Sequence, residues 1–297
     1  MFTANTFENF IIRADRKELI IYLMELNFLK KENICKECKV YTKFYSHKRS
    51  FDNYAWRCIN KKCRKYKAYF NIRTDSFFEG IKIHFKDILR VILKYACSLQ
   101  SFMIKISLDI IGNTVDKIIK KLIHKIPEQD FRNNKLGGPG FIVQIDETMM
   151  NYKCKSHRGR SPENKSDALC IIEFRDKITR VYCTLIENKK AETIIPIICN
   201  QVASGSKIWT DEHKSYSSLS KNGFIHESIC HKYEFVNSQT GVNTQAVESL
   251  NNAMKWLIKK KKGIKTEKRK SFLKEFCFLF NNRNDLFHAV LNLLKVD

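Results

Sequence analysis

The sequence predicts an α/β protein whose mixed sheet fills the second half of the chain, preceded by a small cysteine-bearing β module and a short helical region. Three observations carry this. Strand-like apolar runs follow one another between Phe141 and Ile186, helical and strand patterns alternate after them, and four cysteines fall in two close pairs between Cys35 and Cys63. At 297 residues the chain has room for one sizeable domain and one or two small modules.

In residues 16–29, Leu19, Ile20, Leu23, Met24 and Leu26 recur at helical spacing and predict a short amphipathic helix with a structural role. Over residues 33–73 Cys, Tyr, Trp and Lys dominate, and Tyr54-Ala-Trp-Arg and Lys67-Ala-Tyr-Phe read as short strands around knuckles. Helical patterns return at 81–99 and 115–126. Between them Ser107-Leu-Asp-Ile-Ile-Gly-Asn-Thr leaves room for a short helix and a glycine turn, a spacing that suits a helix-turn-helix with Thr114 as the cap of its second helix.

Asn133-Asn-Lys-Leu-Gly-Gly-Pro-Gly disfavours both regular structures and sets the main boundary. Strands are then predicted over 141–146, 168–174 and 178–186, a helix over 194–202, a strand over 207–210, a helix over 213–219, a strand over 224–230 and a helix over 244–260. Thr193 is read as the cap of the 194–202 helix, which puts Pro196 at a position whose N–H needs no intrahelical partner. A β-β-β-α-β-α-β-α series is the RNase H-like order. The predicted organisation is therefore an N-terminal helix (1–32), a small cysteine-bearing β module (33–75), a helical, helix-turn-helix-like region (76–132), an RNase H-like domain (137–262) and a basic, helical extension (263–297).

Asp146 closes the run Phe-Ile-Val-Gln-Ile, and Asp211 closes Lys-Ile-Trp-Thr, so two aspartates stand at the ends of predicted buried strands. Glu248 lies on the last helix opposite the stripe Val247, Leu250, Met254, Leu257 and Ile258, on the side it shares with Asn252, Lys255 and Lys259. Phosphodiester chemistry uses such a trio to hold two Mg²⁺ (or Mn²⁺) ions about 4 Å apart, one activating the attacking oxygen and one stabilising the leaving oxygen. A lone strand-end aspartate is more often a turn residue; the ordered trio is what points to catalysis.

Cys35-x2-Cys38 and Cys58-x4-Cys63, 19 residues apart, have the spacing of a structural tetrahedral Zn²⁺ site. Free or disulfide-bonded cysteines are the alternative. Zinc is favoured because so small a module lacks a core of its own, and because Lys36, Lys61, Lys62 and Arg64 are expected to lower the thiol pKa values.

Fifty-four Lys and Arg against 31 Asp and Glu give a formal charge of +23, for which nucleic acid is the leading partner. AT-rich coding is a second source of the lysines. Lys117, Lys120, Lys121 and Lys125 would line the second helix of the helix-turn-helix, and Lys259–Lys262 with Lys265, Lys268, Arg269 and Lys270 form a basic extension; a solvated face is the plain alternative for each. Of 11 cysteines only four are patterned, which favours a reducing compartment, and neither a secretory signal nor a run long enough for a membrane span is read.

Gly137-Gly-Pro-Gly-Phe-Ile-Val-Gln-Ile-Asp-Glu-Thr, Arg158-Gly-Arg, Ile208-Trp-Thr-Asp-Glu-His-Lys-Ser-Tyr and Asn243-Thr-Gln-Ala-Val-Glu-Ser-Leu, with 36 residues between Asp211 and Glu248, resemble Merlin-type DDE transposases and the related ISXO-like bacterial insertion-sequence transposases. The resemblance runs from about Cys35 to Lys260. It implies a DNA transposase that cleaves and joins strands at terminal inverted repeats, with Asp146, Asp211 and Glu248 as catalytic metal ligands, His231 and Lys255 as auxiliary residues and Arg158 and Arg160 among the DNA contacts. It also implies a zinc-ribbon on Cys35, Cys38, Cys58 and Cys63, target DNA as second substrate and a homodimer or larger assembly on DNA. Localisation would be nuclear in a eukaryotic host and cytoplasmic otherwise. Two departures stand out: Asn243-Thr-Gln replaces the family's usual His-Thr-Asn, and Asn251 replaces a usual Trp. The rival readings are a domesticated or decayed copy that only binds DNA, and an RNase H-like nuclease that cuts without joining.

Overall fold

The computed structural model describes residues 3–110, 113–151, 165–230, 236–237 and 239–296. They form two compact units, residues 1–125 with 285–297, and residues 126–284.

The first unit opens with α1 (Ala4–Arg13), which the periodicity reading does not include; Thr3 caps it, and it buries only Phe7 and Ile11. α2 (Arg16–Glu25) starts where expected, because Asp15 accepts from the N–H groups of Lys17 and Glu18 while Glu18 reaches back to the Asp15 N–H. It ends before Leu29, as Asn27 turns the chain at φ 58°. β1 (Lys43–Ser46), β2 (Tyr54–Arg57) and β3 (Tyr69–Phe70) make an antiparallel sheet in that order. β3 is shorter than the predicted strand because Lys67, at φ 65°, donates to the Cys58 carbonyl and belongs to a knuckle.

α3 (Phe85–Ala96) is amphipathic, burying a wide face of Phe85, Ile88, Leu89, Val91, Ile92 and Leu93 opposite a charged stripe of Lys86, Asp87, Arg90 and Lys94. α4 (Ser101–Leu108) and α5 (Thr114–Lys125) pack against it. Thr114 is the first residue of α5 itself, so it does not serve as the cap predicted for it. The predicted start of α3 at Ile81 is displaced by Arg73. Its guanidinium grips Asp52 through two bonds (2.6 and 2.7 Å) and takes the carbonyls of Ile81 and Ile83, which keeps those residues out of the helix. This buried pair ties the β module to the start of α3.

In the second unit the described residues form a mixed five-stranded sheet, order β6-β5-β4-β7-β8, from β4 (Ile142–Met149), β5 (Asp167–Phe174), β6 (Ile178–Ile186), β7 (Lys207–Asp211) and β8 (Ile225–Ile229). β4, β5 and β6 pair antiparallel, and β4, β7 and β8 pair parallel. α6 (Ala191–Gln201) covers one face together with Tyr216, Leu219 and Phe224, against Val143, Ile145, Leu169 and Ile171. α7 (Gln245–Lys260) and α8 (Arg269–Asn281) cover the other, against Ala168, Cys170 and Ile172. The two sets alternate along β4 and β5, as the two-residue period of a strand requires.

Two sequence expectations are corrected here. α6 begins at Ala191 with Lys190 as N-cap, so Thr193 is inside the helix, bonded to Asn188, and Pro196 sits within it, where it removes the bond to the Glu192 carbonyl. The helix expected over 213–219 is two short 3-10 turns, Lys214–Tyr216 and Ser220–Asn222. Serine hydroxyls cause the break: Ser215 bonds the Lys189 carbonyl and Ser217 the Lys214 carbonyl, competing with a helical ladder.

The segment Asn133–Gly140 is built into the second unit, with Leu136 wholly buried. Gly137 is required there. Its φ is 86°, its N–H donates to the buried Glu173, and a Cβ would fall 2.4 Å from Ser206 Oγ. α8, from the predicted extension, lies along β6, where Asn281 bonds both backbone groups of Val181. α9 (Leu286–Asn292) belongs to the first unit, with Phe287 against Phe7. No helix among the described residues is long and apolar enough to cross a membrane.

Candidate active site and metal centre

Asp146 and Asp211 meet because β4 and β7 are parallel neighbours. Gln144 pairs with Trp209, and the register carried two residues on sets the two aspartates level. Both therefore lie on the α7 face. Asp211 ends β7 as expected, but Asp146 does not end its strand: β4 runs on to Met149, held by its pairing with β5, so Asp146 stands within it. Glu248 arrives from the first turn of α7, whose position is set by Gln144. This wholly buried side chain accepts the Val247 N–H at 3.1 Å through Oε1, satisfying an orphan donor of a helix whose N-cap residue, Thr244, makes no capping bond. Gln144 thus fastens the helix to the strand that carries Asp146. The sequence signal was present, a polar residue inside Phe-Ile-Val-Gln-Ile, but a single glutamine does not name its partner.

The outcome is a cavity of about 290 Å³ lined by Asp146, Asp211, Thr244, Glu248, Asn251, Asn252 and Lys255. Asp146 Oδ1 accepts the Glu147 N–H at 2.8 Å and Oδ2 accepts Asn251 Nδ2–H at 2.7 Å. Asp211 Oδ1 accepts the His213 N–H at 3.1 Å, and the Thr244 hydroxyl donates to Glu248 Oε1 at 3.1 Å. Burial, then the neighbouring carboxylates of Glu147 and Asp211, pushes Asp146 up to about 6.

Behind the site, the Asp-Glu-Thr and His-Lys-Ser-Tyr motifs touch. Glu147 points to the opposite sheet face, where the buried Tyr216 hydroxyl donates to it and Lys189 Nζ lies at 3.7 Å. Burial and the adjacent Glu147 hold the Tyr216 phenol well above its usual range.

An oxygen-rich set of three carboxylates suits Mg²⁺ or Mn²⁺. One further observation fits a polar ligand here: Asn251 is 3% exposed, and its Oδ1 has no partner among the described residues. Asn251 is one of the two places where the sequence departs from the resemblance, and here it replaces an apolar ring with a donor to Asp146.

Among the other predicted site residues, Lys255 lies on the cavity rim. Lys117 and Lys120 are exposed on α5 in the first unit, whereas Lys121 is drawn inward, donating to the Glu79 carbonyl at 2.7 Å over the Phe77 ring. His231, Arg158 and Arg160 lie outside the described residues.

The first unit carries the second centre. The Sγ atoms of Cys35, Cys38, Cys58 and Cys63 lie within 4.8 Å of one another, with Cys35–Cys63 and Cys38–Cys58 both at 3.9 Å. A tetrahedron with Zn–S bonds of about 2.3 Å has edges of about 3.8 Å, so the cluster fits zinc. The thiol electrostatics differ from expectation. Cys38 is lowered to about 7 mainly by the Val40 backbone N–H, while burial pushes Cys63 up to about 12 and Cys58 upward; neighbouring lysines are not the cause.

The model of the ISXO2-like transposase domain matches residues 135–281. A Haemophilus influenzae relative described as an uncharacterized transposase-like protein is 31% identical over 103 residues, 35% of this chain and 82% of its own length. Among solved structures, the Mos1 transposase paired-end complex with left transposon end aligns over 70% of this chain and 79% of its own at 11% identity, with a TM-score of 0.22, too low to bear on the fold. With its mixed sheet, carboxylate cavity and cysteine cluster, the chain belongs to the ISXO2-like family of DDE transposases.

Proposed function

We propose that this protein cleaves DNA at the terminal inverted repeats of a mobile element and joins the freed ends to target DNA, with Asp146, Asp211 and Glu248 as catalytic carboxylates. The convergence of these three acids on one cavity carries the reading. Two Mg²⁺ or Mn²⁺ ions bound there would activate the attacking oxygen and stabilise the leaving one.

The chain's own part is to keep the acids still and to bring the phosphate to them. Glu147 N–H and Asn251 clamp Asp146 from two sides, the His213 N–H orients Asp211, and Thr244 holds Glu248. Lys255, on the rim, supplies a cation for a phosphate oxygen. A charge of +23 draws DNA to the surface, with Lys117 and Lys120 as contacts in the first unit. By resemblance, His231 assists the acids, Arg158 and Arg160 touch DNA, and the cysteine cluster is a structural zinc-ribbon. A dimer across paired ends and, in a eukaryotic host, a nuclear location complete the reading.

The test incubates the zinc-loaded protein with labelled DNA from the flanks of its own gene, target plasmid and Mg²⁺, beside Asp146→Asn and Glu248→Gln. Joined products are expected with the wild type, reduced on the order of a thousandfold or more in each variant. Cleavage without joining would make the protein a nuclease, and binding without cleavage a DNA-binding protein.

A further inference from the structure

The tryptophans are unequally housed. Trp56 and Trp209 are 5% and 8% exposed, whereas Trp256 is 57% exposed on α7, the helix that carries Glu248. Trp256 stands one turn beyond Asn252 and next to Lys255, both of which line the carboxylate cavity, so it follows them along the same stripe of the helix, just beyond the cavity lining. Lys260 Nζ lies 4.7 Å from the ring centroid, and Lys259 to Lys262 follow directly.

A large aromatic exposed among lysines has two properties at once: a flat face that gains by being covered, and a positive field that repels a cationic partner and attracts an anionic one. A nucleic-acid strand satisfies both, with a base on the indole and phosphates on the ammonium groups. An apolar protein surface would satisfy the ring but bury the lysines without partners.

Resting on the DNA-cleavage reading above, we propose that Trp256 is a stacking platform for an unpaired base of the DNA strand leaving the cavity, with Lys259 and Lys260 holding its phosphates. Eight residues of helix separate Glu248 from Trp256, about 12 Å along the axis, a span of only a few nucleotides. The platform therefore acts on bases a few positions from the scissile phosphate, and it requires that stretch to be unpaired, because a base inside a duplex already has both faces stacked on its neighbours.

The experiment uses the zinc-loaded full chain and three probes of the same gene-flank sequence: a blunt duplex, a duplex with a short single-stranded end, and the single strand. Tryptophan emission, its acrylamide quenching and binding affinity are read for wild type, Trp256→Phe and Trp256→Leu. Probes with unpaired bases are expected to shield Trp256 from acrylamide. Trp256→Leu is expected to lose about tenfold in affinity for them and to match the wild type on the blunt duplex, with Trp256→Phe between. Equal losses on all three probes, or unchanged binding by Trp256→Leu, overturn the platform while leaving the DNA-cleavage reading intact. Failure of the wild type to bind any probe overturns both.

Discussion

The cysteine cluster takes its four donors from one short stretch, residues 35–63, on knuckles whose turns are closed by their own backbone bonds, such as Lys39 N–H to Cys35 O and Lys67 N–H to Cys58 O. The carboxylate cavity takes its donors from positions 146, 211 and 248, on two strands and a helix that the fold must first assemble. The cysteines are largely buried and make a closed site, while the acids sit half-buried in an open one. The difference is one of construction: the thiols are gathered by local turns into a closed set that fits a structural ion, while the acids are held by a distant scaffold and present charge that the scaffold tolerates at a cost.

Removing the zinc ligands breaks the comparison most severely. Structural zinc contributes apparent free energies of about 10–16 kcal/mol in small peptides, so Cys35→Ser or Cys58→Ser is expected to release one equivalent of zinc and to unfold the β1–β3 module. Metal analysis with near-ultraviolet dichroism of Trp56 reads this. Retention of stoichiometric zinc by either variant would refute the four-thiolate assignment, and Asp146→Asn is expected to leave the zinc content untouched.

The carboxylate site is expected to respond to pH in the opposite sense from an ion-paired one. Asp146 is raised from 3.8 to about 6 in the folded protein, so between those values the folded state binds more protons than the unfolded. The stability from this group is full below pH 3.8 and is lost as pH rises through 6, by up to about 3 kcal/mol at about 1.4 kcal/mol per unit. Urea midpoints of the metal-free wild type should therefore fall from pH 4 to pH 7 more steeply than those of Asp146→Asn; parallel curves would show that Asp146 is not the group responsible.

The smallest effect sharpens the scaffold side. Gln144→Leu leaves the buried Val247 N–H without its acceptor, at about 1–3 kcal/mol. It is expected to weaken Mg²⁺ protection of the second unit against urea while Cys38→Ser leaves that protection unchanged. Equal Mg²⁺ protection in wild type and Gln144→Leu would show that α7 is located without this bond.

Much of this was legible in the chain, for reasons that particular residues make clear. The strand Ile178–Ile186 and the start of α2 at Arg16 follow from local pattern, as do the four cysteines from spacing. Misplaced elements are those where a distant or competing partner intervened: Arg73 withholding Ile81 and Ile83 from α3, Ser215 breaking the helix after Asp211, and Lys190 rather than Thr193 opening α6. Asn251 was visible as a departure from a family pattern, but its bond to Asp146 was not.

By itself the sequence determined the strands of the second unit and most of its helices, and the spacing that brings four cysteines together, because periodicity and ligand spacing act over a few residues. Only the tertiary structure decided that Asp146 and Asp211 stand level, that Gln144 fastens the helix bearing Glu248, that Asn251 steadies Asp146, and that Trp256 remains uncovered beside them. These depend on strand register and on contacts between positions about a hundred residues apart, whose formation is governed by which faces can be buried together rather than by any local pattern.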